Sequence, residues 1–198
     1  MKFVNLGSSG LNVSAICIGG NSWGARGRRD WAAFDQSDSA PFFRNALDNG
    51  VNFFDTADAY NLGESERIIG ETLMGYASRE NIVLSTKVGL RMGDGVNQIG
   101  LGRKHLMESI DKQLKRLKTD YIDLYQLHWP ERKVPRFGEL DYKYDPNDNT
   151  WTTIEEVLYN LNKLVKSIIY CLFTLRRNKC LNLYQNGLEL KVTVTNLG

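Results

Sequence analysis

Four polar side chains, Asp55, Tyr60, Lys87 and His128, each stand at or just beyond the point where an apolar run gives way to a loop. Their chemistry is complementary. A phenol has a reference pKa near ~10 and is a poor proton donor at neutral pH, but a nearby ammonium stabilises its phenolate. A carboxylate beside that ammonium keeps it charged, and an imidazole within hydrogen-bond reach polarises a carbonyl oxygen. Such a set is a tuned acid, delivering a proton to a carbonyl oxygen while a hydride attacks the carbon. Taken singly, the residues have plainer readings. Asp55 would be a strand-end acid bonding the amides of the next turn, and Tyr60 an amphipathic rim residue. Lys87 would be a solvated strand end, and His128 a core histidine beside Trp129. Only their joint placement favours the chemical reading.

That placement depends on the elements around them. VSAICIG (13–19), VNFFDTA (51–57), NIVLSTKVG (81–89) and YIDLYQLH (121–128) are compact apolar runs, as expected of strands covered on both faces. Helical patterns fill the gaps. SAPFFRNALDNG groups Phe42, Phe43, Ala46 and Leu47, and GESERIIGETLMG groups Ile68, Ile69, Leu73 and Met74. RKHLMESIDKQLKRLKTD carries Leu106, Ile110, Leu114 and Leu117 as a stripe, with KQLKRLK as its outer face. Thr152 and Glu155 read as a capping box opening a helix whose buried side is Ile154, Leu158, Leu161 and Val165. Alternation of strand and helix means α/β with a parallel sheet. All C-terminal strand ends of such a sheet open on one face, so the four groups are expected to converge there. Ahead of this, KFVNLGSSGLNVS reads as a β-hairpin around Gly7-Ser8-Ser9-Gly10. The segments 89–102 and 130–149 read as loops, the second long enough for a lid or binding loop.

DTADAY with its D-x4-Y spacing, LGESERIIGETL, LSTKVG, RLKTDYIDLYQLHWP and the opening SGLNVSAICIGGNSWG together resemble the aldo-keto reductases, over roughly residues 1–166. The resemblance implies a (β/α)8 barrel that reduces aldehydes and ketones with NADPH through an Asp-Tyr-Lys-His tetrad. By motif match, Tyr60 is the general acid, Lys87 its partner, Asp55 the anchor of Lys87, and His128 the group that orients the small carbonyl substrate. The same match places Gly20, Asn21 and Asp55 near the nicotinamide; Gly19-Gly20 stands where the family has Gly-Thr, which removes one hydroxyl.

The segment 167–198 carries no such resemblance: it has no Ser-Asn strand end, no stacking tyrosine and no phosphate-binding stretch. A barrel of this kind takes ~250 residues. The expectation is therefore a partial (β/α)8 barrel of about four βα units over 1–166, preceded by the hairpin and followed by a divergent tail. Missing phosphate-binding segments count against NADPH binding. The alternative is a truncated, catalytically inactive protein, acting by protein binding or having no function. Open sheet edges suit a protein partner that covers them, and low stability alone. Within the tail, 167–175 and 189–195 are expected to be strands.

Composition is that of an ordinary globular chain: 198 residues, 42% apolar and 24% charged. A formal net charge of +2 offers no case for nucleic acid or an anionic membrane. Cys17, Cys171 and Cys180 show neither paired nor metal-type spacing, which favours free thiols in the cytoplasm and no metal. No secretory signal or membrane span is expected. Arg26, Arg28 and Arg29 read as a solvated loop, and GDGVNQIGLG lacks the strand context of a phosphate loop.

Overall fold

A computed structural model of the chain describes residues 1–25, 32, 34–129, 131, 145–148, 151–165, 169–174, 182–185 and 188–191. It begins with an antiparallel pair, β1 (Phe3–Asn5) and β2 (Asn12–Ser14), matching the expected hairpin. The run 13–19, read above as one strand, is two. Ser14 Oγ donates to the Ile16 carbonyl at 2.6 Å, while the Ser14 amide is held by Asn52 Oδ1 at 2.7 Å. These bonds bend the chain, so Ser14 closes the hairpin and β3 (Cys17–Gly19) starts the main sheet.

That sheet has five parallel strands in chain order: β3, β4 (Phe53–Asp55), β5 (Val83–Val88), β6 (Ile122–Leu127) and β7 (Ile169–Thr174). The connecting helices are α1 (Gln36–Asp48), α2 (Glu64–Thr72), α3 (Arg103–Leu117) and α4 (Ile154–Val165). Parallel strands in sequence order, each linked by a helix, form an arc of a (β/α)8 barrel. β7 falls on the first of the two expected tail strands and pairs with β6. The second is a strand over its described part: β9 (Leu188–Lys191) pairs antiparallel with β8 (Asn182–Gln185), a strand not expected from the sequence, and 192–195 lie outside the described residues. So do the arginines at 26, 28 and 29 and most of the loop 130–149.

The core lies between the sheet and the helices. Phe43, Phe54, Ile68, Leu73, Leu84, Leu106 and Leu117 are fully buried there, and burial of each such side chain stabilises by about 1.5–3 kcal/mol. Three helix faces depart from expectation. Phe42 is 50% exposed, although its ring still lies 5.8 Å from Trp23 and 5.0 Å from Phe34. The α4 cap is Thr153, whose Oγ1 accepts from the Glu156 amide at 3.2 Å, one residue later than the Thr152–Glu155 box. The buried face comprises Val157, Leu158, Leu161 and Leu164, so Leu158 and Leu161 are buried as expected, Ile154 is turned outward, and the Val165 side chain lies outside what is described. KQLKRLK is only partly an outer face, because Gln113 and Leu117 are buried. Helices α2 and α3 cross in contact at Gly70, where a Cβ would meet the Arg116 carbonyl at 2.1 Å. No helix among the described residues is long and apolar enough to cross a membrane, and none of them form a metal-type cluster.

Candidate active site

The four residues are delivered by three neighbouring strands. Asp55 is the last residue of β4, and Tyr60 opens the 3-10 turn Tyr60–Gly63 that follows. Lys87 lies near the end of β5, and His128 directly follows β6, where its amide donates to the Val88 carbonyl at 2.9 Å. Parallel pairing puts all these ends on one side, and the side chains meet.

Lys87 is the hub. Its ammonium donates to Asp55 Oδ2 at 2.5 Å, to the Thr56 carbonyl at 2.8 Å and to Tyr60 Oη at 3.0 Å. An ammonium has three protons, so each is committed. Asp55 is fixed in turn: its Oδ1 accepts from Ser85 Oγ at 2.8 Å and from Gln126 Nε2 at 2.9 Å. The Tyr60 and His128 rings meet edge to face, with centroids 5.5 Å apart and an interplanar angle of 84°.

His128 is held uncharged. Burial, then the Lys87 ammonium, lowers its pKa from the usual 6.5 to about 4, against the opposing pull of Asp55. Its Nδ1 is buried with no hydrogen-bond partner among the described residues. Because the folded value lies below the unfolded one, the unfolded chain takes up the proton first as pH falls. The stabilisation is complete above 6.5 and lost as pH drops towards about 4. An NMR titration of the His128 ring is expected to show a midpoint near 4, with unfolding easier across that window; a midpoint at the ordinary value would contradict the burial.

The turn below the site is crowded. At Gly20 a Cβ would stand 2.7 Å from Ser65 Oγ and 2.9 Å from the Asp55 carbonyl, so only glycine fits without displacement. Its amide donates to the Asp55 carbonyl at 2.7 Å, and its carbonyl accepts from Ser65 Oγ at 2.7 Å. Of the expected cofactor residues, Gly20 thus turns its polar atoms inward and acts on the shape of the turn. Asn21 is exposed beside it, and Asp55 sits at the mouth.

Sequence reading missed Ser85 and Gln126, the groups that hold Asp55. The signal was present. Each lies two residues before a selected residue, Lys87 or His128, and side chains on a strand repeat their direction every second residue.

A family model described as the Aldo/keto reductase family matches residues 15–167. Aldo-keto reductase YhdN of Bacillus subtilis (strain 168) is 38% identical over 135 residues, covering 68% of this chain and 40% of that protein. Versiconal hemiacetal acetate reductase of Aspergillus parasiticus is 31% identical over 185 residues, covering 84% of this chain and 48% of that protein. Among solved structures, aldo-keto reductase AKR11C1 from Bacillus halodurans (holo form) superimposes with a TM-score of 0.66 at 30% identity. That match covers 88% of this chain and 50% of that one. The chain spans about half the length of the relatives it matches.

Proposed function

This chain belongs to the aldo/keto reductase family, and from that premise we propose that it binds NADPH and reduces an aldehyde or ketone at the mouth formed by Asp55, Tyr60, Lys87 and His128. The observation that carries the reading is the saturated ammonium of Lys87, with its three acceptors. Since Lys87 donates to the Tyr60 oxygen, the phenol's own proton is directed away from it and towards the open mouth. A carbonyl oxygen placed there accepts that proton, and the ammonium faces the negative charge left on the phenol oxygen. Asp55, clamped by Ser85 and Gln126, keeps the ammonium from swinging away. His128, uncharged, can hydrogen-bond the same carbonyl oxygen without adding a second cation beside Lys87.

The residues present fit the nicotinamide end of the cofactor. Gly19 pairs in register with Asp55, and a Cβ on it would meet nothing within 4 Å. A flat ring can therefore approach the end of β3, with exposed Asn21 on the following turn and Asp55 opposite. NADPH, when bound, supplies the hydride. Titration of the folded protein with NADPH, followed by the cofactor's fluorescence, tests the reading: saturable binding is expected, and no response at high protein concentration would end it.

A second reading is favoured by one feature of the sheet. Among the described residues β3 has a strand neighbour on one side only, and its Cys17 and Gly19 are exposed. In that reading the chain acts through another protein that covers the edge rather than by turnover. One similar protein, 38% identical over 137 residues, is a probable voltage-gated potassium channel subunit beta of Arabidopsis thaliana. Aldehyde turnover that depends on Tyr60 would exclude this alternative.

A further inference from the structure

Behind the mouth lies a second cavity of about 170 Å³, between the turn after β4, the loop 92–98 and α3. Asp58, His105, Glu108, Ser109, Lys112 and Arg116 line it, and none of the four mouth residues does. We infer that this cavity is a binding site for a small monocarboxylate, held between Lys112 at its rim and the carboxyl of Asp58 at its floor. The inference is independent of the reductase reading.

The floor carries the argument. Asp58 is 0% exposed, and neither carboxyl oxygen makes a well-formed hydrogen bond among the described residues, although the adjoining Ala59 amide still pulls on the group. An unpaired buried polar group is costly, so a floor of this kind calls for an occupant that bonds to it. His105 Nε2 is buried without a well-formed hydrogen bond among the described residues, although the Leu90 and Asn97 backbones act on the ring, and Nδ1 lies 3.4 Å from Ser109 Oγ. With a water's share of liquid at about 30 Å³, the space takes roughly five water-sized positions, enough for a molecule of four heavy atoms.

Charge selects the occupant. Burial, then the Glu66 carboxylate, raises the Asp58 pKa well above its ordinary value, against the Ala59 amide, Arg116 and Lys87. A buried carboxyl without a charge partner favours its neutral form, and that form has an O–H to donate. Burial and nearby Lys112 lower the His105 pKa, so that ring is uncharged as well. Of the ionic groups, Arg116 pairs with Glu66 at 2.7 Å, and Glu108 is bonded by Lys104. That leaves Lys112 as the cation on the lining that has no ion pair among the described residues. Glu108, one turn away on α3, feels the Lys112 charge but is already bonded by Lys104, so two lysines face one carboxylate and one positive charge is left for one negative charge; a dianion would bury a surplus, and a cation would meet Lys112 and Arg116. A carboxylate also accepts an O–H from Asp58 in a charge-assisted bond, the stronger kind.

Calorimetric titration of the full chain with sodium acetate at neutral pH, against sodium sulfate at equal ionic strength, tests the site. Saturable acetate binding is expected, weakened about tenfold or more in Lys112→Gln, which removes a charged donor from the exposed rim. Asp58→Asn keeps a donor at the floor and is expected to retain affinity within about threefold, whereas Ser109→Ala weakens it less than Lys112→Gln does. Absence of saturable acetate binding overturns the proposal. So does an unchanged affinity in Lys112→Gln, or sulfate bound as tightly as acetate.

Discussion

Replacing Tyr60 by Phe is expected to lower aldehyde turnover by about 10²–10⁴-fold, the usual contribution of a positioned general acid, while NADPH affinity stays within about twofold. The substitution removes one atom, the hydroxyl oxygen bonded by Lys87 at 3.0 Å, and keeps the ring that packs edge to face on His128. Fold and mouth shape are thereby preserved, and the loss reports proton delivery alone. Lys87→Met is expected to cost a similar factor by a different route. It leaves the phenol in place but removes the cation facing it, and deprives Asp55 Oδ2 of its ammonium. The two single losses should not add in the double variant, because in the proposed reaction both residues serve one proton transfer. Steady-state kinetics on the four proteins decides the matter. Equal turnover in wild type and Tyr60→Phe would remove Tyr60 from the chemistry and leave the protein-binding reading standing.

The expectation for these residues could be formed from sequence because each sits at a strand end, and strand ends of a parallel sheet share one face. Apolar runs locate strands well, and no knowledge of helix packing is needed to know where their ends point. Asp55, Lys87 and His128 needed only that rule. The strand boundaries were harder. VSAICIG reads as one run, yet a side-chain bond from Ser14 back to the Ile16 carbonyl splits it, and such local competition is invisible in an apolar pattern. The α4 cap slipped by one residue for a related reason. Thr152 and Thr153 are chemically equivalent caps, and burial of Val157, Leu161 and Leu164 decides between them.

Buried polar groups were the least readable. Asp58 stands in DTADAY between two residues that were singled out, but its burial comes from the turn after β4 meeting α3. Glu66 and Arg116 each sit on helices whose outer faces are charged. Nothing in either helix alone says that these two turn inward to meet across a gap of fifty positions.

Arg116→Ala is expected to destabilise the protein by about 3 kcal/mol, near the lower end for breaking a buried ion pair. Glu66 is 0% exposed, and Arg116 donates to its Oε2 at 2.7 Å from both Nε and a terminal nitrogen. Its other oxygen accepts from Thr86 Oγ1 at 2.6 Å and from Gln113 Nε2 at 2.9 Å. These neutral donors remain in the variant, and the Arg116 side chain is 22% exposed, so water can reach part of the gap. Both facts place the loss at the low end. Gln113 also donates to the Lys87 carbonyl at 3.0 Å and accepts from Tyr125 Oη at 2.7 Å. The network thus ties α2 and α3 to the strand segment that presents Lys87, and stability and the mouth's geometry share a support. If the cost comes from stranding a carboxylate, removing Glu66 as well should relieve it. The pair Glu66→Leu with Arg116→Leu is expected to be less destabilised than Arg116→Ala alone, measured by urea unfolding with an unchanged slope. A double variant worse than Arg116→Ala would show instead that the ion pair itself holds α2 against α3.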